Sequence, residues 1–264
     1  RSLWRPPIEL CPRRYGICVR SRSRISIVEI EFRSDITVEL VRANASDADV
    51  VFAARVSTVG EQSLEDVDAD PQRSAGLINY LMRDRHGSPF EHNSMTFFVK
   101  APIFVWREHM RHRIASYNEE SGRYRELLPL FYVPSHERPL VQSGKPGAYE
   151  FHPGTLAQSE LVDRTIRESC TSAYSGYLEM LEAGVAREVA RMVLPVTIYS
   201  SAYVTMNARA LMNFLSLRRK VEGSHFVSYP QREIEMVAEV YEEHFAQLMP
   251  LTHSAFNEHG RVAP

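Results

Sequence analysis

Residues 111–124 read RHRIASYNEESGRY, a run holding three arginines, a histidine, two glutamates, two serines and two tyrosines. Arg107, Glu108, Arg111 and His112 just before and within it recur at helical i, i+3 and i+4 spacings, so they are expected to share one helix face. Ser116, Asn118, Ser121 and Gly122 follow, residue types that favour turns and leave backbone amides free. A basic helix end running into such a loop suits a phosphate. Arginine offers a bidentate fork and the loop offers N–H donors. A salt-bridged surface helix accounts for the same spacing, with Glu108, Glu119, Glu120 and Glu126 neutralising the arginines locally.

Three further clusters carry polar groups. RHGSPFEH (85–92) puts His86 in a proline-fixed loop ahead of a strand, although an ordinary turn explains it almost as well. GVAREVARMVLP (184–195) sets Arg187 and Arg191 four apart, as on the edge of an amphipathic helix. In MNARALMNFLSLRR (206–219), Asn207, Arg209, Asn213 and Arg218 punctuate an apolar helix. Asparagine is a poor helix former and costly to bury unsatisfied, so these amides point to a heterocycle, to capping or to helix–helix hydrogen bonds. His109 and His112 lack a third ligand at telling spacing, and flanking arginines oppose a cation, so no metal is expected. Cys170 lies on an apolar helical stripe and reads as core rather than nucleophile.

The elements that position these residues follow from periodicity. ISIVEIEF (25–32) reads as a strand, with TVELV (37–41) as its hairpin partner across Arg33-Ser34-Asp35. Ser46 to Asp49 can cap a helix to about Ser57, and Pro71 opens a second. MTFFVKA (95–101) reads as a strand and 103–113 as a helix after Pro102. Residues 134–154 look like a long surface loop. Further helices are expected over a stripe from Cys170 to Leu181 that closes near Gly184, and over 187–194, 204–217 and 234–248. Strands thus gather early and helices late, which indicates an α+β fold, a mixed sheet with helices in a single compact domain.

The 264 residues carry 31 basic and 33 acidic side chains, for a net charge of -2. No global basic field points to nucleic acid. Only Lys100, Lys145 and Lys220 are lysines, so an isolated arginine means little here. Three cysteines without a paired framework fit a reducing cytoplasm, and no apolar run is long enough for a membrane span. Residues 1–24 hold seven arginines, one acid and three prolines. They are set aside as a basic tail, disordered, an expression remnant or a misassigned start, ahead of one domain over 25–264.

Taken together, these segments resemble the flavin-dependent thymidylate synthases, whose signature is R-H-R, seven residues, then S. Arg111-His112-Arg113 and Ser121 fit that spacing, and the likeness runs through the other clusters over roughly 25–250. The resemblance implies methylation of dUMP to dTMP, with 5,10-methylenetetrahydrofolate as carbon donor and FAD reduced by NADPH. It also implies a cytoplasmic homotetramer with FAD bound between subunits. Carried over by position, Ser88, Arg111, His112, Arg113, Glu119, Asn207, Arg209 and Asn213 match flavin-contacting places, with Ser57 a weaker match. Glu108, Arg111, Glu119, Ser121, Gly122, Arg123, Arg191 and Arg218 match places around dUMP. His86 matches a histidine beside the flavin ring. Catalytic roles are implied for Arg218, Ser121 and His86. After Arg218 the segment RRKVEGSHFVSYPQREI is longer than the family pattern, so either His225 or Tyr229 could supply the polar contact expected there. A single-stranded RNA-binding module and a flavin oxidoreductase without methyl transfer are the rival readings. Near-neutral charge and interleaved glutamates argue against the first.

Overall fold

The computed structural model describes residues 16–21, 24–60, 71–146 and 148–264. Period-two alternation builds its central sheet. In β5 (Ser94–Pro102), Met95, Phe97, Val99 and Ala101 are buried while the alternate residues are half-exposed. Ala202, Val204 and Met206 of β10 (Tyr199–Met206) are buried likewise. With β4 (Thr37–Asn44) and β6 (Ser116–Glu119) these strands form an antiparallel sheet ordered β4-β5-β10-β6.

Helices cover one face of that sheet. α1 (Asp47–Val59), α2 (Pro71–Arg83), α3 (Ile103–His109), α6 (Ala208–Arg218), α7 (Arg232–Leu248) and α8 (Pro250–Glu258) share a core with it, including Leu211, Phe214, Val237, Tyr241 and Phe245. A second cluster joins α4 (Leu156–Glu182) and the short α5 (Arg187–Ala190) to β7 (Leu130–Tyr132) through Phe131, Cys170, Tyr174, Tyr177 and Ala190. The fold is thus mixed α/β in one domain, although helices and strands are less segregated than expected, because β10 comes from the C-terminal half.

Several expected elements are corrected. Residues 37–41 do not pair with 25–32. β4 pairs with β5, while β3 (Glu31–Arg33) runs parallel to β7. β2 (Arg24–Glu29) pairs with β1 (Gly16–Ser21), so part of the stretch set aside before residue 25 is a strand, and residues 1–15 lie outside the described residues. The expected helix 204–217 is strand β10 up to Met206 and helix only from Ala208. Within the expected loop 134–154, β8 (Val141–Lys145) and β9 (Ala148–His152) form a hairpin.

The start of α1 agrees with expectation. Ser46 and Asp49 form a capping box, each side chain taking the other residue's backbone N–H. The role of the neighbouring Asp47 at a second, distant helix was not anticipated. Its carboxylate accepts from Leu251 N at 2.8 Å, Thr252 N at 2.9 Å and the Thr252 hydroxyl at 2.6 Å, so α1 caps α8. Thr252 is fully buried, and losing this acceptor strands its donors in the core. Asp47→Ala is therefore expected to cost about 2–3 kcal/mol, against about 1 kcal/mol for Ser46→Ala. Urea unfolding should show both as midpoint shifts at constant slope, the former larger.

Candidate active site

α3 stops at His109, short of the expected 113. Arg111 N and His112 N bond to Glu108 O at 3.2 Å and His109 O at 3.1 Å, so the chain turns tightly instead of continuing the helix. The Tyr117 hydroxyl, arriving from β6, lies 3.0 Å from His109 O and 2.9 Å from His112 O, so it meets the otherwise open His112 carbonyl and adds to the bond at His109 O. Arg107, Glu108, Arg111 and His112 consequently do not line one helix face. Ser116 and Asn118 lie in β6 rather than in a loop. Arg111 and Arg113 are exposed, with no side-chain partner among the described residues.

The turn brings His112 and Glu108 to the end of α6. Arg218 donates from Nη1 to Glu108 Oε2 at 2.9 Å and from Nε to His112 Nε2 at 3.1 Å, leaving Nη2 without a partner among the described residues. The ion pair is three-quarters buried, at 20% and 27% side-chain exposure. Burial raises the Glu108 carboxyl above its ordinary range against the pull of Arg218. Burial, and then the Arg218 charge, push His112 down to about 4. A neutral imidazole therefore accepts from the guanidinium. Phe214 packs beneath it, with ring centroids 4.6 Å apart. His109 is fully buried, with Nε2 3.0 Å from Tyr241 Oη and Nδ1 3.2 Å from Tyr117 Oη.

A second corner gathers Ser121, Gly122, Arg123 and Arg191. A Cβ on Gly122 would meet Leu127 at 3.0 Å and the Arg191 Cδ at 3.3 Å, so the Arg191 stem lies against this glycine. Arg123 pairs with Glu188 at 3.0 Å on the surface, and its backbone N–H reaches Ser121 Oγ at 3.3 Å. The Ser121 and Gly122 amides have no hydrogen-bond partner among the described residues. Glu119 lies on β6, where the buried Ser200 donates to its carboxylate at 2.5 Å. Beside it a cleft of about 690 Å³ opens over the sheet face bearing Lys100, Phe98 and Tyr203, with Arg125 at its wall.

The remaining candidates collect at the other end of α6. Asn207 is its N-cap, accepting from Ala210 N at 2.8 Å, so capping takes the carbonyl of this amide. Arg209 bonds to Glu91 at 2.5 Å and to the Pro264 carbonyl at 2.5 Å. It crosses Gly87 so closely that a Cβ there would meet its Cζ at 2.6 Å, which sets it beside His86 and Ser88. His86 is exposed and stacks on Tyr80, ring centroids 5.6 Å apart. Asn213, one turn on from Arg209, is exposed on the same face. Ser57 stands apart on α1, its hydroxyl bonded to Ala54 O. His225 N bonds to Gly260 O, and Tyr229 lies under Lys220, so among the described residues neither touches Arg218.

Sequence reasoning missed Tyr117, Gly87 and Glu91, whose spacing gives no hint of these long-range contacts. The histidines also predict a pH dependence. Between the ordinary 6.5 and about 4 the unfolded chain takes up a proton that folded His112 refuses. His109, pushed down to about 3 chiefly by burial, acts in the same sense. Their stabilisation is complete above pH 6.5 and is lost as pH falls through this window. Glu242, held down at about 2 despite its burial by His253 and Arg261, acts only below the ordinary 4.5. Urea midpoints should therefore fall between pH 7.5 and 5, and His112→Asn should flatten that slope; equal slopes would contradict the assignment.

A family model described as thymidylate synthase complementing protein matches residues 39–251. The flavin-dependent thymidylate synthase of Streptomyces avermitilis is 66% identical over 234 residues, covering 88% of this chain and 95% of that protein. The enzyme of that name from Tropheryma whipplei is 57% identical over 238 residues, covering 90% and 99%. Among solved structures, the UMP/dUMP methylase PolB from Streptomyces cacaoi bound with 5-Br dUMP is similar with a TM-score of 0.84 at 56% identity, covering 89% of this chain and 100% of that one. Its complex with 5-Br UMP gives 0.82 at 55%, covering 89% and 99%. With the signature turn, the Arg218 end and the matched length in agreement, the chain belongs to the flavin-dependent thymidylate synthase family.

Proposed function

We propose that this chain methylates dUMP to dTMP, with 5,10-methylenetetrahydrofolate as carbon donor and FAD, reduced by NADPH, as hydride source. The observation that carries this reading is the Arg218 edge and the Ser121–Arg191 corner at the two ends of one short segment. The first suits a pyrimidine carbonyl and the second a phosphate. That the similar PolB is a UMP/dUMP methylase solved with 5-Br UMP and 5-Br dUMP supports dUMP as the substrate.

Arg123 and Arg191 hold the phosphate, helped by the Ser121 and Gly122 amides, and Glu188 gives up Arg123 as the anion arrives. Glu119 accepts from a nucleotide hydroxyl or ring N–H. Ser121 positions and polarises the pyrimidine without forming a lasting bond. Uracil C5 is a weak nucleophile, and Cys170 offers no thiolate to activate it, since the residue is buried and its thiol raised by burial. Activation is therefore electrostatic. Arg218 donates from its open edge to a uracil carbonyl and stabilises the charge that N3 ionisation spreads over the ring as C5 attacks the methylene carbon.

The residues present fit FAD. Arg111 and Arg113 are exposed cations with no paired carboxylate among the described residues, and Ile114, 75% exposed, offers an apolar contact beside them. Arg209, Asn213, Ser88 and the His86 ring face solvent at the far end of α6. When bound, FAD supplies the hydride. Arg209 and Arg218 are nine residues apart on α6, so they lie about 14 Å apart along its axis and half a turn around it. Polar groups on opposite faces of one helix suit a flavin shared between two chains, and we take the flavin to be bound between subunits of a cytoplasmic homotetramer. The open sheet face, with Phe98 against Tyr203, and the exposed Met192 and Val196 give surface for that assembly.

Incubation with dUMP, methylenetetrahydrofolate, FAD and NADPH should yield dTMP, with none when NADPH or folate is omitted. Arg218→Ala should lower turnover about 100- to 1000-fold while dUMP still binds. Near-normal turnover in that variant would sink the role given to Arg218.

A further inference from the structure

We propose that Tyr117 is a positioning residue for the Arg218 edge, acting through a directed hydrogen-bond chain Tyr241–His109–Tyr117–His112; this rests on the functional reading above. The direction follows from the partners. The Tyr117 hydroxyl lies 3.0 and 2.9 Å from two carbonyls, His109 O and His112 O, which can only accept. Its hydrogen therefore goes to them. Its oxygen then accepts from His109, whose Nδ1 lies 3.2 Å away and carries the ring's proton. His109 Nε2 is left bare and accepts from the Tyr241 hydroxyl at 3.0 Å. At the far end His112 Nε2 accepts from Arg218 Nε at 3.1 Å, so its own proton sits on Nδ1. Every hydrogen is assigned, and every link before Arg218 is neutral.

The turn over 110–113 needs such a tie. After the last helical bond, from Met110 N to Trp106 O, its backbone bonds are the two tight ones made by Arg111 and His112, with no following helical turn to hold it. Tyr117 comes from β6, where it is registered opposite Val204 of β10, so its hydroxyl fastens the turn to the sheet. Tyr241, fully buried in α7, backs His109 from the core, and Phe214 fills the gap between the two histidine rings at 4.8 and 4.6 Å. Loss of the Tyr117 hydroxyl strands the His112 carbonyl and the His109 ring N–H, while His109 O keeps only the His112 backbone N–H, and it frees His112 to shift. Arg218 loses its fixed direction with it, while the phosphate corner is untouched.

The test uses full-length, flavin-loaded protein and follows dTMP formation. Tyr117→Phe should lower kcat roughly ten- to hundred-fold, with the KM for dUMP changed no more than about twofold. Tyr132→Phe is the comparison: its buried hydroxyl donates to Glu233 at 2.9 Å, away from this chain, so its loss should reduce stability and leave kcat alone. Wild-type kcat in Tyr117→Phe overturns the proposal, as does an equal kcat loss in Tyr132→Phe. Should Tyr117→Phe fail to fold, Tyr241→Phe breaks the same chain one link back, and an unchanged kcat there overturns it. Wild-type protein with no turnover rejects the functional reading and this proposal with it.

Discussion

A guanidinium held three-quarters out of water is the constraint around which the site is arranged. A buried cation without partners is costly, yet a fully satisfied one has nothing left to offer a substrate. Arg218 lies between these limits. Glu108 supplies the countercharge and takes one donor, neutral His112 takes another, and one edge stays open. The balance depends on His112 remaining uncharged, because an imidazolium would turn an acceptor into a second cation. Burial against Phe214 and the Arg218 charge itself secure that state.

Holding that arrangement falls to elements distant in sequence. Glu108 comes from the end of α3, His112 from the turn beyond it, and Arg218 from the last residue of α6. Sheet and helices share one core, so the relative placement of these ends is set by packing that includes Phe97, Leu211, Phe214 and Tyr241. α6 also carries the opposite group, where Asn207 caps it and Arg209 is tethered to Glu91 and Pro264. A single rigid helix thus presents two sets of polar groups on opposite faces, and each set is open to solvent on its own side.

Much of this was legible in the sequence, and the failures have physical causes. The helix start at Ser46, the strand over 95–101 and the helix stop at Gly184 carry strong local signals, whereas the helix expected over 187–194 ends as α-helix at Ala190 and tightens to a 3-10 turn before Pro195. β10 does not. Tyr199–Met206 is rich in Ser and Ala, and Val204 falls in helical phase with Ala208 and Leu211, so a period of 3.6 claims it. The hairpin of β8 and β9 hid in a stretch whose Pro and Gly content suggests a loop. Within the site, RHR and the arginines were visible by spacing. The early stop of α3 was not, since it depends on the hydroxyl of Tyr117 reaching back from a strand. Gly87 likewise looks like any turn glycine until Arg209, 122 positions on, is seen crossing it.

The central claim is that nucleotide and flavin meet at the Arg218 edge. The most direct test is the visible spectrum of the purified protein with added FAD, recorded before and after dUMP. The account predicts a bound-flavin spectrum that dUMP perturbs, placing both ligands in one site. A protein that binds no flavin, or a bound flavin indifferent to dUMP, would contradict it.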